Sequence, residues 1–274
     1  MNRPIIENVC PLAISATSAQ PSKFMACLEA WLPYFRHYVI SGDCELDSKI
    51  SYAIASDTRD WHSCPPKVFN GLKWVASNKR QCDWVLVLDD DTFVNDINLR
   101  KLIPLLDPHR RAIYGCDMKG HWIFGEKHIP FLSGGAGTLV PMFVAVEMAE
   151  KMKTKEWDWL PQPSKVWVEC GGLGNCAKVG GGVIPDDAGA DNKLGWYAHH
   201  NQIEQVNLKE LFRPESPAHY KLENKDILNK VAYHRQGPKG QGQLKEVLNQ
   251  FGSESKIDEA YVKSMLAQRM EPFS

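Results

Sequence analysis

Residues 84–95 read WVLVLDDDTFVN. A run of five residues, mostly large and apolar, passes straight into Asp89, Asp90 and Asp91. Such a run is a strand that must be buried, whereas adjacent carboxylates need water or a cation. The stretch therefore predicts a buried strand whose carboxyl end presents acids at the edge of a sheet. Side chains of an extended segment alternate. If the strand ran on, Asp89 and Asp91 would share a face and Asp90 would point away. Carboxylates are hard oxygen ligands that suit Mn²⁺ or Mg²⁺, and a divalent cation offsets their mutual repulsion. A solvated acidic turn is the plain alternative, and the buried run before it weighs against that.

Working outward, PLAISATSA reads as a first buried strand. Pro21 and Ser22 open a helix with Phe24, Met25, Leu28 and Leu32 near helical spacing. HYVISGD is a second strand. PPKVFNGLKWVASNK is a helix started by Pro65 and Pro66, with Val68, Leu72, Val75 and Ala76 on one face. After the aspartates, DINLRKLIPLL is a helix with Asp96 as its N-cap, and RAIYGC is another strand. This alternation predicts an α/β fold with a mostly parallel, Rossmann-like central sheet. Ligands of such sheets bind at the carboxyl ends of the strands.

The second half is less regular. FLSGGAGTLVPMFVAVEMAEKMK holds a glycine loop followed by a helix from about Val140. Residues 154–190 are rich in tryptophan and glycine and read as loop. DNKLGWYAHH is a short helix capped by Asp191. QGPKGQGQ, residues 236–243, separates the body from two C-terminal amphipathic helices at roughly 243–251 and 256–270.

The chain has 274 residues, 43% of them hydrophobic and 24% charged, as in a soluble globular protein. Its formal net charge of −1 gives no pull toward nucleic acid or an anionic membrane. No apolar run is long enough to span a bilayer. The expected location is the cytoplasm, or the Golgi lumen if an N-terminal anchor has been removed. The eight cysteines are dispersed without zinc-ribbon spacing and read as free thiols. Cys170 and Cys176 could close a small loop in an oxidising compartment.

WVLVLDDDTFV resembles the D-x-D region of the Fringe-type and β-1,3-glycosyltransferases, including the core-1 galactosyltransferases. GGAG within FLSGGAGTLV and the late histidine of YHRQGP, His234, match two further segments of that family in order. The match covers roughly residues 10–235. The resemblance implies a single GT-A domain over residues 1–274, with residues 10–116 as the nucleotide-sugar half, 117–235 as the acceptor and catalytic half, and 236–274 as C-terminal helices that the match does not cover. It implies a metal-dependent, inverting transfer from a UDP-sugar to a glycan or glycoprotein hydroxyl. Asp91 and His234 would hold Mn²⁺ or Mg²⁺, Asp89 and Asp90 would touch ribose or donor sugar, and Gly134 and Gly135 would line the sugar site. Thr17, Ser18 and Asp43, at the ends of the first two strands, are placed for the nucleoside.

The family's general base is an acid four residues before a glycine at a helix start. Asp191, four before Gly195, fits and is preferred; Asp187, in a literal PDD, is second because no glycine follows it at that spacing. Trp196, directly after Gly195, is expected to face the acceptor. Galactose, N-acetylglucosamine and xylose are all donors in related enzymes. The lack of an anchor resembles the soluble glycosyltransferases that large algal viruses encode, which act in the host cytoplasm, and places xylose first for testing. Two other classes share these residues: a catalytically silent carbohydrate-binding protein and a metal-dependent nucleotide-sugar hydrolase.

Overall fold

The computed structural model describes residues 3–15, 21–43, 52–54, 64–118, 123–124, 127–128, 130–151, 190–218, 224–251 and 257–267. Thr17, Ser18, Asp187, Cys170 and Cys176 lie outside these residues.

The described strands are β1 (Val9–Ile14), β2 (Val39–Gly42), β3 (Tyr52–Ile54), β4 (Trp84–Asp89), β5 (Phe93–Val94), β6 (Ala112–Gly115), β7 (Ile123–Phe124), β8 (Lys127–His128), β9 (Thr138–Pro141), β10 (Glu204–Asn207), β11 (Phe212–Arg213) and β12 (Ala232–Tyr233). The helices are α1 (Pro21–Ala30), α2 (Cys64–Asn78), α3 (Asp96–Leu102), α4 (Met142–Lys151), α5 (Ala190–His200), α6 (Asn224–Ile227), α7 (Pro238–Phe251) and α8 (Glu259–Ala267). The central sheet runs β10-β6-β9-β4-β1-β2-β3. Every neighbouring pair in it is parallel except those made by β9, which is antiparallel to β4 and β6. The expected α/β class with a mostly parallel sheet is therefore what the chain adopts.

Both faces of the sheet are covered. Trp84, Leu86 and Leu88 join one apolar cluster with Phe24 of α1, Leu99 of α3, Leu244 and Leu248 of α7, and Val262 of α8. Val85 and Val87 join the other with Leu72 and Val75 of α2, Met148 of α4, and Leu194 and Tyr197 of α5. The pleat thus sends alternate β4 residues to opposite helix layers. Asp89 is next in the Val85–Val87 row and falls on the α2 and α5 side. Helix α2 packs closely because residue 71 is glycine: a Cβ there would lie 2.9 Å from Leu12 Cδ1 and 3.0 Å from Ser41 Cβ.

Five expectations need correction. GTLVP forms strand β9, and helix α4 starts only at Met142, because residues 138–141 fill the slot between β4 and β6. The N-cap of α3 is Asn95, whose side chain accepts from Asn98 N; Asp96 is instead drawn into ion pairs with Arg3 and Arg100. Helix α5 begins at Ala190, so Asp191 lies in its first turn, where a carboxylate still suits the helix dipole. Helix α7 starts at Pro238, inside the stretch read as a separator, with the proline at the first helical position. Met25 is also 45% exposed, off the buried stripe of α1.

Candidate metal centre

Strands β1 and β4 end side by side, with Ile14 opposite Asp89. The chain then turns: Thr92 N donates to Asp89 O at 3.1 Å and Asp90 N donates to Ile14 O at 3.0 Å. The strand does not run on: in the turn, Asp89, expected with Asp90 at the ribose or donor sugar, faces His234 together with Asp91, and Asp90 points away. Asp90 is buried and accepts from Ser15 Oγ at 2.7 Å. Asp89 and Asp91 face His234: its Nε2 lies 3.4 Å from Asp89 Oδ2 and 3.0 Å from Asp91 Oδ1. One ligand atom from each of Asp89, Asp91 and His234 lies within 4.8 Å of the other two.

His234 follows β12, which pairs antiparallel with β5 just after the acidic turn. His234 N donates to Arg213 O at 3.0 Å, and its Nδ1 lies 3.2 Å from Pro214 O. A carbonyl there calls for a proton on Nδ1 and leaves Nε2 for the carboxylates. That is the arrangement by which ligating histidines are oriented in metal sites. Two carboxylate oxygens and one imidazole nitrogen form a donor set that fits Mn²⁺ or Mg²⁺.

Without a cation the cluster is held by protons and lysine. Burial opposes a charged His234, but hydrogen bonds to Asp89 and Asp91, together with their charges, outweigh it and push its pKa up to about 10. Burial raises the Asp91 pKa, yet the His234 bond and charge and Lys23, whose Nζ is 3.3 Å away, bring it below the usual value. Asp90 is different: burial lifts its pKa to about 7 against the Ser15 bond, aided by the charge of Asp89.

The glycine loop meets this cluster directly. Gly137 N donates to Gly134 O at 3.0 Å, closing a turn, and Gly137 has φ of +97°, a region open to glycine. A Cβ on Gly135 would lie 2.3 Å from His234 Cε1, so only glycine admits the ring. A Cβ on Gly134 would lie 3.3 Å from Asp191 Cβ, and Gly134 N lies 3.5 Å from Asp191 Oδ2. Two successive glycines thus carry His234 on one residue and Asp191 on the other. Thr92 Oγ1 donates to Gly135 O at 2.5 Å and ties this loop to the acidic turn.

The glycine four after Asp191 has a steric reason. A Cβ on Gly195 would lie 2.5 Å from Phe131 Cβ and 2.8 Å from Pro130 O. Helix α5 rests there against the start of the glycine loop, and Gln205 Nε2 donates to Pro130 O at 2.7 Å. Asp191 is delivered to Gly134 from that contact.

Asp89, Asp91, His234, Gly134, Gly135 and Asp191 come together, with Asp90 turned behind them onto Ser15. Asp43 is half-buried just beyond β2, at the carboxyl edge of the same sheet. Trp196 makes an edge contact with His200, ring centroids 4.8 Å apart, along its own helix. Sequence reasoning did not single out Ser15, Lys23, Thr92 or Cys64. Ser15 and Lys23 had a usable signal, since they lie just past β1 and in the first turn of α1, beside the edge β4 reaches. Cys64, at the start of α2, has its thiol pKa pushed up to about 12 by burial and by the charge of Asp89, with a smaller contribution from Asp191.

No protein-family model matches the chain, and no curated protein matches it. Among solved structures it is similar to a glycosyltransferase involved in the glycosylation of the major capsid of PBCV-1, with 13% identity, 87% of this chain and 98% of that chain covered, and a TM-score of 0.39. It is also similar to the galactosyltransferase LgtC in complex with donor and acceptor sugar analogs, with 14% identity, 95% and 100% covered, and a TM-score of 0.41. No helix among the described residues is long and apolar enough to cross a membrane.

Proposed function

We propose that this chain is a metal-dependent, inverting glycosyltransferase of the GT-A type, which moves a sugar from a UDP-sugar to a hydroxyl of a glycan acceptor. The supporting observation is the glycine pair: Gly135 receives the ring of His234, a member of the Asp89–Asp91–His234 set, while Gly134 receives Asp191. A carboxylate poised beside a candidate metal centre is what inverting transfer requires.

Asp89, Asp91 and His234 would hold the cation. Bound there, Mn²⁺ or Mg²⁺ supplies Lewis-acid stabilisation of a departing diphosphate. Asp191 takes the proton of the acceptor hydroxyl as that oxygen bonds to the anomeric carbon. The bond from that carbon to UDP breaks, and UDP leaves with the electron pair. Attack opposite the leaving group converts an α-linked donor into a β-linked product. Lys23, whose Nζ is 3.3 Å from Asp91 Oδ2, would lie near enough to the set to meet phosphate charge. Asp90, fixed on Ser15, keeps the turn in shape. Thr17, Ser18 and Asp43 remain the proposed nucleoside contacts, and Trp196 the acceptor contact.

The test is UDP release with and without Mn²⁺, using UDP-xylose first, then UDP-galactose and UDP-N-acetylglucosamine, each with and without glycan acceptors. Release that requires both metal and acceptor supports the transferase. No metal-dependent release from any donor sinks the reading, and release indifferent to acceptor marks a hydrolase. Asp191→Asn should keep donor binding and lower turnover by about 10²–10⁴-fold. Unchanged turnover would move the base to Asp187.

A further inference from the structure

Residues 236–274 lie beyond the family resemblance, yet two of them, Gln236 and Gln241, reach the acidic turn. Gln241 of α7 has no solvent exposure, and α7 packs along α1. Its Nε2 lies 3.3 Å from Asp90 O, 3.4 Å from Gln236 O and 3.3 Å from Cys27 Sγ. Gln236 continues the connection. Its backbone N donates to Asp91 O at 2.6 Å, and its side-chain Nε2 donates to His234 O at 2.7 Å. Between His234 and Gln236, Arg235 has φ of +58°, the left-handed region, so the backbone bends sharply to make these bonds.

Satisfying a stranded carbonyl does not account for Gln241, because Asp90 O already accepts from Cys27 Sγ at 3.0 Å. What the carboxamide adds is a bridge. With two N–H donors on one nitrogen, it reaches the backbone of the acidic turn and the backbone just past His234 together. An apolar side chain of the same length would fill the space and remove this second link, leaving the Gln236 N to Asp91 O bond as the direct one.

We propose that Gln241 is a positioning residue for the metal centre: through Gln236 it sets the imidazole of His234 against Asp89 and Asp91, so α7 is part of the site. This rests on the metal reading above. Groups that orient ligands in this way typically change metal affinity by about 10–100-fold when removed.

The experiment is Mn²⁺ titration followed by electron paramagnetic resonance on the wild-type chain and on Gln241→Met. Electron spin-echo modulation is added to read the ¹⁴N of a coordinated imidazole, and circular dichroism to verify folding. The expected result is Mn²⁺ affinity about 10-fold or more weaker in Gln241→Met, with a changed or diminished ¹⁴N signal at saturation. A folded Gln241→Met with wild-type affinity and signal overturns the proposal, as does weakened affinity with the ¹⁴N signal unchanged. Wild-type protein that binds no Mn²⁺ overturns the metal reading itself and this inference with it. Should Gln241→Met fail to fold, Gln236→Met, which removes only the side-chain bond to His234 O, is held to the same two readouts.

Discussion

Two acidic spots lie within eight residues of each other and are treated in opposite ways. Asp96 has a fully buried side chain and is closed by two guanidinium groups, Arg3 and Arg100, the latter at 2.8 Å. Arg3 is itself stacked over the Tyr34 ring, 3.8 Å from its centroid. Asp89 and Asp91 keep 36% and 19% side-chain exposure and, among the described residues, are answered by His234 and Lys23. Asp96 is a carboxylate with a surplus of cation and no path to water. The Asp89–Asp91 pair is answered by an imidazole, whose proton a metal ion can displace, and is open to water. A buried charge that loses its partner is costly; a carboxylate cluster that solvent can reach can exchange its partner for a cation.

That contrast can be broken from either side. The largest effect is expected at the open spot. Asp91→Ala should abolish metal-dependent UDP binding, followed by calorimetry; retained binding would remove Asp91 from the ligand set. At the closed spot the response should reverse. Asp96→Ala leaves two guanidinium groups facing a vacated pocket and should cost about 3–5 kcal/mol of stability by urea denaturation, with Mn²⁺ affinity unchanged. Were Asp96→Ala to weaken Mn²⁺ binding as much as Asp91→Ala, the two spots would not be separate.

The smallest effect is one of pH. His234 holds its proton up to about pH 10, above its ordinary 6.5, and a cation at Nε2 must displace that proton. Mn²⁺ affinity should therefore rise by up to about tenfold per pH unit through neutral pH. In the metal-free chain the sign is opposite for stability. The raised His234 pKa contributes stability that is fully present below 6.5 and is lost as pH rises through about 10. An Mn²⁺ affinity flat with pH would mean that the imidazole is not displaced by the cation.

What could be read from the residues was local or periodic. The five-residue run of β4, and the stripe of Val68, Leu72, Val75 and Ala76 on α2, could be placed because burial repeats with the period of the element. The acid four before Gly195 could be placed only through resemblance, and the reason for that spacing became visible once Gly195 was found against Phe131. The misses are long-range. GTLVP became a strand because a gap between β4 and β6 needed one, and no local signal carries that. Asn95 and Asp96 are equally good caps by type; an arginine 93 positions away decided between them. Gln241 offered no signal, since a glutamine in a glycine-rich stretch does not announce that it is buried.

The reversed direction of β9 has a further consequence. In a sheet whose strands all run one way, only segments that leave a strand reach the ligand-binding edge, and those that enter a strand are confined to the far edge. Because β9 runs backwards, Thr138 lies opposite Val87, and the glycine turn that leads into the strand arrives where β4 ends. One inverted strand thus adds an entering loop to the exiting ones. The rim is supplied from both directions of the chain, and a backbone turn with no side chains to clear stands beside groups carried on strand ends and helix starts.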